Sequence, residues 1–275
     1  MGNRRLKYPP LSVWLAILGL FSMFVFIFLL APHTGYDPTA TSLLYRLQPP
    51  GSQHLLGTDE LGRDIWTRLL YGGQASLSVA FSASLLGLAL GVALGLWAAF
   101  SRGNWLEQLI MYLIDVQLSL PFILLAIVTA LVLGSSLMVV VSLAALAVWP
   151  SYARLTYGLS LSWLERDFVA AARVQGATAW HLTRWHLLPN LLAPLAVLAT
   201  LNISAVILLE SALSFIGLGI QPPTPSWGNM IGDGREYLLV AWWLVGAPAA
   251  VLVALTIGLG VIGDWLRDAL DVTLP

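Results

Sequence analysis

The ionisable side chains that could do work in this sequence are few, and two of them lie where they are costly. Asp115 and Glu210 fall near or within stretches otherwise apolar enough to cross a bilayer. A carboxylate at membrane depth normally faces a cavity, an ion path or a partner group. Glu210 precedes Ser211 and Ser214, so the three together are candidates for the lining of a polar path. The alternative for each carboxylate is a packing role, bonded to a serine or a backbone group. Asp115 follows a polar loop by about two helical turns, a distance from which it can also reach water. His181 and His186 are five apart, which is not the two-histidine metalloprotease spacing, and no serine or cysteine nucleophile constellation is visible. The single lysine, Lys7, has no glycine-rich loop beside it, so a phosphate-cradling P-loop is absent. No catalytic residue and no metal ligand is assigned.

The elements that must position these residues are membrane spans. Of 275 residues 58% are hydrophobic and only 10% charged, far from the composition of soluble domains. There is no cysteine, which removes disulfides and thiolate metal sites, and the net charge of -1 argues against a nucleic-acid partner. Uncharged runs at 11–31, 75–100, 185–209 and 237–263 are each long enough to cross, for which about 20 residues are needed. The first lacks a small-residue cleavage site and reads as a retained span. The uncharged stretch 116–153 is too long for one crossing, and Gly134-Ser135-Ser136 divides it in two. Backbone groups in lipid are satisfied only in helices or closed barrels. These runs lack strand alternation, so the expected fold is all-α with six transmembrane helices. Kinks are expected at Pro121 and Pro150, and Gly87, Gly91 and Gly95, spaced by four, offer a face for close helix packing.

Arginine and lysine asymmetry sets the orientation. With both termini on one side, that side carries Arg4, Arg5, Lys7, Arg102, Arg154, Arg166, Arg173, Arg184 and Arg267, against Arg46, Arg63, Arg68 and Arg235 opposite, so both termini are cytoplasmic. Two regions lie outside the spans. On the outer side, Thr58 is expected to cap an amphipathic helix with an apolar stripe of Leu61, Ile65 and Leu69, ended by Tyr71-Gly72-Gly73 and lying on the membrane surface. Residues 1–72 accordingly form an N-terminal helix and outer segment, and 73–275 a five-helix core. The proline-rich 221–228, with Trp227, is expected to be a stiff outer loop at headgroup depth. On the cytoplasmic side, 165–190 is expected to form two short helices, 165–175 and a second capped by Thr178 and ended near Pro189, broken at Gly176. Phe168, Val169 and Ala172 share a face of the first. Spacing alone leaves an interfacial hairpin on lipid and a docking surface for a partner equally open.

Ala171-Ala172, three residues, Gly176, nine residues and His186-Leu187-Leu188-Pro189 resemble the "EAA" loop of permeases of ATP-binding-cassette (ABC) importers. Ala170 stands in place of that loop's glutamate, and His186 in place of its isoleucine. The segments 54–64, 210–219, 221–228 and 263–268 are similar to the second permease subunit of dipeptide, oligopeptide and nickel importers, with Tyr112 where many relatives carry arginine and Val272 where proline usually follows the final aspartate. The resemblance implies a type I importer permease in a prokaryotic inner membrane, working with a sister permease, two cytoplasmic ATPase subunits and an extracytoplasmic binding protein. It implies that Phe168, Ala171, Ala172, Gly176, Ala177, His186, Leu188 and Pro189 form the ATPase-coupling loop. ATP and magnesium would sit on the partner ATPases, with no cofactor in this chain. Small peptides are the expected cargo, with nickel or a metal chelate as the rival. The reading of a different class is a self-contained secondary transporter or channel driven through Asp115 and Glu210; the inverted repeats of many such transporters are not detected here.

Overall fold

The computed structural model describes residues 8–270, so Arg4, Arg5, Lys7 and Val272 lie outside the described residues. Those described residues are almost entirely helical. Helix α1 (Leu11–Val25) continues through a π turn and a short 3-10 turn to His33. It is followed by α2 (Ile65–Phe100), α3 (Trp105–Ser119), α4 (Phe122–Leu133), α5 (Leu137–Leu164), α6 (Asp167–Val174), α7 (Ala179–Leu182), α8 (Leu188–Phe215), α9 (Trp227–Gly234) and α10 (Trp243–Ala269). Five helices are long and apolar enough to cross a membrane. Among the described residues the pair α3 and α4, bent by 93° at its break, makes a sixth when counted as one span. The break falls at Leu120-Pro121, because proline disfavours the helical conformation in the residue before it; Leu120 is extended, at φ -89° and ψ 137°. Pro150, by contrast, lies inside the continuous α5.

The central pair is α2 against α5. Gly87, Gly91 and Gly95 are all buried on one stripe of α2. A methyl on Gly91 would stand 2.5 Å from Cβ of Tyr152 and 2.6 Å from the Trp149 carbonyl oxygen, so the two backbones touch where the glycines are. Helices in lipid associate through such close packing rather than through hydrophobic exclusion. Helices α8 and α10 complete the bundle around Leu187, Leu191, Ile207 and Leu244, all nearly inaccessible.

Three expectations for the outer side are corrected. Residues 59–64 are not helical. The Asp59 carboxylate accepts the backbone N–H groups of Leu61 (2.9 Å) and Arg63 (2.8 Å), closing a turn that Gly62 completes at φ +74°. Local side-chain bonding of this kind competes with helix formation. The helix starts instead at Ile65, where Asp64 caps it by accepting from the backbone N–H (2.8 Å) and hydroxyl (2.8 Å) of Thr67. Nor does Gly72-Gly73 end it. A methyl on Gly73 would lie 2.8 Å from the Trp227 ring, so these glycines make room for the outer loop while α2 runs on to Phe100. The outer segment is therefore continuous with a long span, and the boundary placed after residue 72 falls inside α2. Trp227, expected at headgroup depth, is fully buried and donates its indole N–H to the Leu69 carbonyl (3.0 Å). It opens α9, which has a reciprocal capping box between Ser226 and Asn229.

Candidate functional site: a cytoplasmic cleft and the helix that leaves it

The cytoplasmic loop follows from local chemistry. Helix α6 carries Asp167 in its first turn and Arg173 in its last, the order its dipole favours. Its C-terminus is a Schellman motif: the N–H of Gly176 bonds the Arg173 carbonyl (2.9 Å) and the N–H of Ala177 bonds the Ala172 carbonyl (3.0 Å). That motif needs a left-handed residue one position past the cap, and Gly176 supplies it at φ +86°. The spacing from Ala172 to Gly176 thus has a mechanical reason. Thr178 then caps α7, its hydroxyl accepting from the His181 N–H (3.3 Å).

The expected end of the second helix near Pro189 is not observed. A π turn over Thr183–Leu187, with the Leu188 N–H bonded to the Thr183 carbonyl, carries α7 directly into α8. Proline fits in the first turn of a helical segment, where its missing N–H is not needed. The result is one helical stretch, Ala179–Phe215, of 37 residues, reaching from the cytoplasmic loop to the outer side.

Between the two arms of the loop lies an open cleft of about 610 Å³. Phe168, Ala171 and Ala172 form one wall, Gly176 and Ala177 the turn, and Thr178, His181 and His186 the other. Aromatic rings step across it: Trp163 to Phe168 at 6.2 Å, Phe168 to His186 at 5.6 Å, and His186 to His181 at 6.0 Å between centroids. His186 therefore spans the two arms in place of the aliphatic residue expected there. Val169 and Leu187 are the buried anchors of the arms. Leu188 is half-buried and Pro189 exposed at the root of α8. Around the rim, Val174 is 90% and Trp180 69% exposed, apolar surface presented outside the spans. Arg102 braces the loop from below through a 2.5 Å pair with Glu165 that holds the guanidinium charged above its usual range.

The candidate path residues separate into two places. Glu210, Ser211 and Ser214 are brought together but buried, at 0%, 7% and 3% exposure. Ser214 donates to Glu210 (2.7 Å) and accepts the N–H of Ile220 (3.1 Å), while Gly219 and Gly228 seal over the two serines so closely that a methyl on either would clash. Of the two readings left open for Glu210, this geometry matches the packing one, a carboxylate bonded to a neighbouring serine. Ser214 ties α8 to the outer loop through Ile220, while Glu210 and Ser211 are buried where α8 packs on that loop and on α9. Asp115 is on the opposite footing: its carboxylate is exposed and pairs with Arg154 of α5. Gln117, one step further, accepts the Trp149 indole N–H (2.8 Å) and donates to the Leu146 carbonyl. Sequence reasoning singled out neither Gln117 nor Arg154 as a partner of Asp115. The residues of that ion pair are 39 apart on different helices, and no local spacing announces them.

On the outer side a second unassigned cluster packs Asp59, Glu60 and Asp233 about Arg63 and Arg68, with Arg63 bonded to Asp59 (2.5 Å) and Glu60 (2.9 Å). Burial raises the carboxyls of Glu60 and Asp233 above the usual range, and neighbouring carboxylates add to it.

Residues 91–274 match the family described as binding-protein-dependent transport system inner membrane component. Over 268 residues the chain is 42% identical to a di/tripeptide transport system permease protein of Pseudomonas aeruginosa, covering 94% of this chain and 88% of that one. It is 39% identical over 272 residues to a probable D,D-dipeptide transport system permease protein of Escherichia coli, covering 97% and 89%. A dipeptide transport system permease protein of Alkalihalophilus pseudofirmus is 41% identical over 279 residues, covering 96% and 91%. Among solved structures, the methionine ABC transporter MetNI in inward-facing conformations contains a chain that superposes with a TM-score of 0.59 at 22% identity, covering 74% of this chain and 97% of that one. That likeness is one of fold, the type I importer permease fold. The chain belongs to the inner membrane components of binding-protein-dependent transport systems.

Proposed function

We propose that this chain is one of two permease subunits of an ABC importer for small peptides, and that the cleft between α6 and α7 receives a helix or loop of a cytoplasmic ATPase. The observation that carries the coupling role is the unbroken helical stretch Ala179–Phe215. A displacement imposed at His181 can pass along this continuous helical stretch, through the π turn at Thr183–Leu187 and past Pro194, to Ser214, where α8 meets the outer loop. Rigid secondary elements are among the carriers of coupling between distant sites. The exposed Val174 and Trp180 supply apolar contact for the ATPase, and the cleft supplies shape. ATP and magnesium belong to the ATPase subunits, and this chain performs no catalysis. Peptides are preferred to nickel because the relatives that match along almost the whole chain carry peptide transport in their names.

A sister permease is required because one bundle of this size exposes too few polar groups to line a path for a peptide. The test is reconstitution of this chain with its sister, the ATPases and the binding protein into proteoliposomes loaded with ATP. Uptake of dialanine that needs every component supports the proposal. Uptake by this chain alone would establish the self-contained transporter instead, and uptake of nickel without peptide would reassign the cargo.

A further inference from the structure

The proposed function leaves open which surface of the chain faces the cargo, and burial removes Glu210, Ser211 and Ser214 from that role in this conformation. The exposed polar groups within the bundle converge elsewhere. Asp115 lies ten residues into α3, about 15 Å along a helix axis from that helix's cytoplasmic end, on the cytoplasmic side of the break that follows. Its carboxylate pairs with Arg154, yet the two side chains remain 65% and 54% exposed on the isolated chain. Gln117 follows, tied to the Trp149 indole N–H and the Leu146 carbonyl of α5, and Ser119 bonds back to the Asp115 carbonyl (2.7 Å). Immediately beyond comes the 93° break at Leu120-Pro121.

These features do not tolerate lipid. A broken helix leaves backbone groups without intrahelical partners, and at membrane depth that is accepted only against protein or beside a water-filled cavity. The half-exposed ion pair just before the break is likewise better placed beside water or protein than against lipid tails. The neighbouring α4 differs. Leu124, Val128, Leu131 and Val132 are 59–76% exposed and wholly apolar, a surface that lipid can cover.

We propose that the α3–α4 break, with Asp115, Gln117, Ser119 and Arg154, is the wall this chain contributes to the translocation path, and that the Asp115–Arg154 pair meets the charged termini of a zwitterionic peptide. A small peptide at neutral pH carries one ammonium and one carboxylate. A preformed carboxylate–guanidinium pair offers each of them a partner, and the two can exchange without leaving either protein charge unpaired. The inference rests on the proposed peptide cargo for its second part only.

The absence of cysteine from this chain allows a direct test. In the assembled complex in proteoliposomes, Ser119→Cys is exposed to a charged, membrane-impermeant methanethiosulfonate, and the modified subunit is identified by mass. Val132→Cys serves as the lipid-facing comparison. The proposal expects rapid modification of Ser119→Cys in at least one nucleotide state, slowed during dialanine turnover, and at least about tenfold slower modification of Val132→Cys. Failure to modify Ser119→Cys in every nucleotide state, or equal reaction at both positions, overturns the assignment of the path. For the pair, Asp115→Asn and Arg154→Gln should each slow dialanine uptake about tenfold or more, with the complex assembled normally. The exchanged variant carrying both Asp115→Arg and Arg154→Asp keeps the link between α3 and α5. Restoration of uptake to the unmodified rate by that variant would show a purely structural tie and overturn the recognition role. Should the unmodified complex import no dialanine at all, the cargo reading fails while the labelling result still decides the path.

Discussion

Replacing Gly91 by alanine adds a single methyl, and the structure leaves no place for it. The new carbon would stand 2.5 Å from Cβ of Tyr152 and 2.6 Å from the Trp149 carbonyl oxygen, against the roughly 3.5–4.0 Å at which such atoms rest. Helices α2 and α5 must therefore part by about 1 Å at that level. Overpacking of this kind costs about 1–3 kcal/mol, and separation of the flanking glycine contacts adds to it. Alanine is favoured over glycine inside a helix by about 0.8–1 kcal/mol, which offsets the low end of that range. The expected net loss is about 1–2 kcal/mol, or a melting temperature lowered by about 2–8 °C in a chain of this size. Gly158→Ala provides the opposite case. Gly158 lies in α5, and nothing stands within 4 Å of the methyl it would gain, so the same propensity acts unopposed. The two variants, melted in detergent and followed by the fluorescence of the 12 tryptophans, should move in opposite directions. A melting temperature for Gly91→Ala equal to or above the unmodified value would refute the claim that direct backbone contact holds α2 to α5.

Trp227→Phe should destabilise by about 1–2 kcal/mol, because it removes an indole N–H bonded to the Leu69 carbonyl and shrinks a fully buried ring; an unchanged melting temperature would return Trp227 to the membrane surface. Asp64→Ala should cost about 0.5–2 kcal/mol by uncapping α2, and Asp64→Asn should recover part of it. The Glu60 carboxyl is raised in the folded chain, so ionising it opposes folding, and the stability this provides is present below its unfolded value and lost as pH rises through the folded one. Glu60→Gln should accordingly raise the melting temperature at pH 8 and leave it unchanged at pH 4; the same difference at both pH values would show that charge is not the cause.

The spans were legible because their signal is long and redundant. Runs such as 11–31 and 237–263 leave no alternative to a crossing helix, and the turn at Gly134-Ser135-Ser136 falls where the length of 116–153 requires one. The cytoplasmic loop was legible for a local reason: the Schellman geometry fixes the distance from Ala172 to Gly176, and the Thr178 cap is a nearest-neighbour device. Where the sequence misled, a distant partner decided. Residues 59–64 read as a helix by charge order, but Asp59 is taken up by backbone N–H groups and by Arg63 and Arg68. Gly72-Gly73 read as a stop, yet they clear space for Ser226 and Trp227, more than 150 positions away. Pro189 read as an end because a proline breaks an α-helical ladder, whereas a π turn just before it shifts the bonding so that the missing N–H is not needed. Glu210 illustrates the limit for sites. Burial is set by Gly219 and Gly228 folding back over the serines, which no spacing along α8 contains.

If the cleft at Phe168, Ala172 and His186 couples an ATPase to α8, a Gly176→Arg variant should break that coupling. Gly176 is exposed, its φ of +86° is one that a side chain strains, and a long arginine would project at the mouth of the cleft. Nothing stands within 4 Å of a Cβ built at Gly176, so the isolated chain should insert and fold. In the reconstituted complex ATP-driven dialanine uptake should be lost, through either dissociation of the ATPase or hydrolysis that no longer responds to the binding protein. Uptake at the unmodified rate, with the ATPase copurifying in full amount, would contradict it.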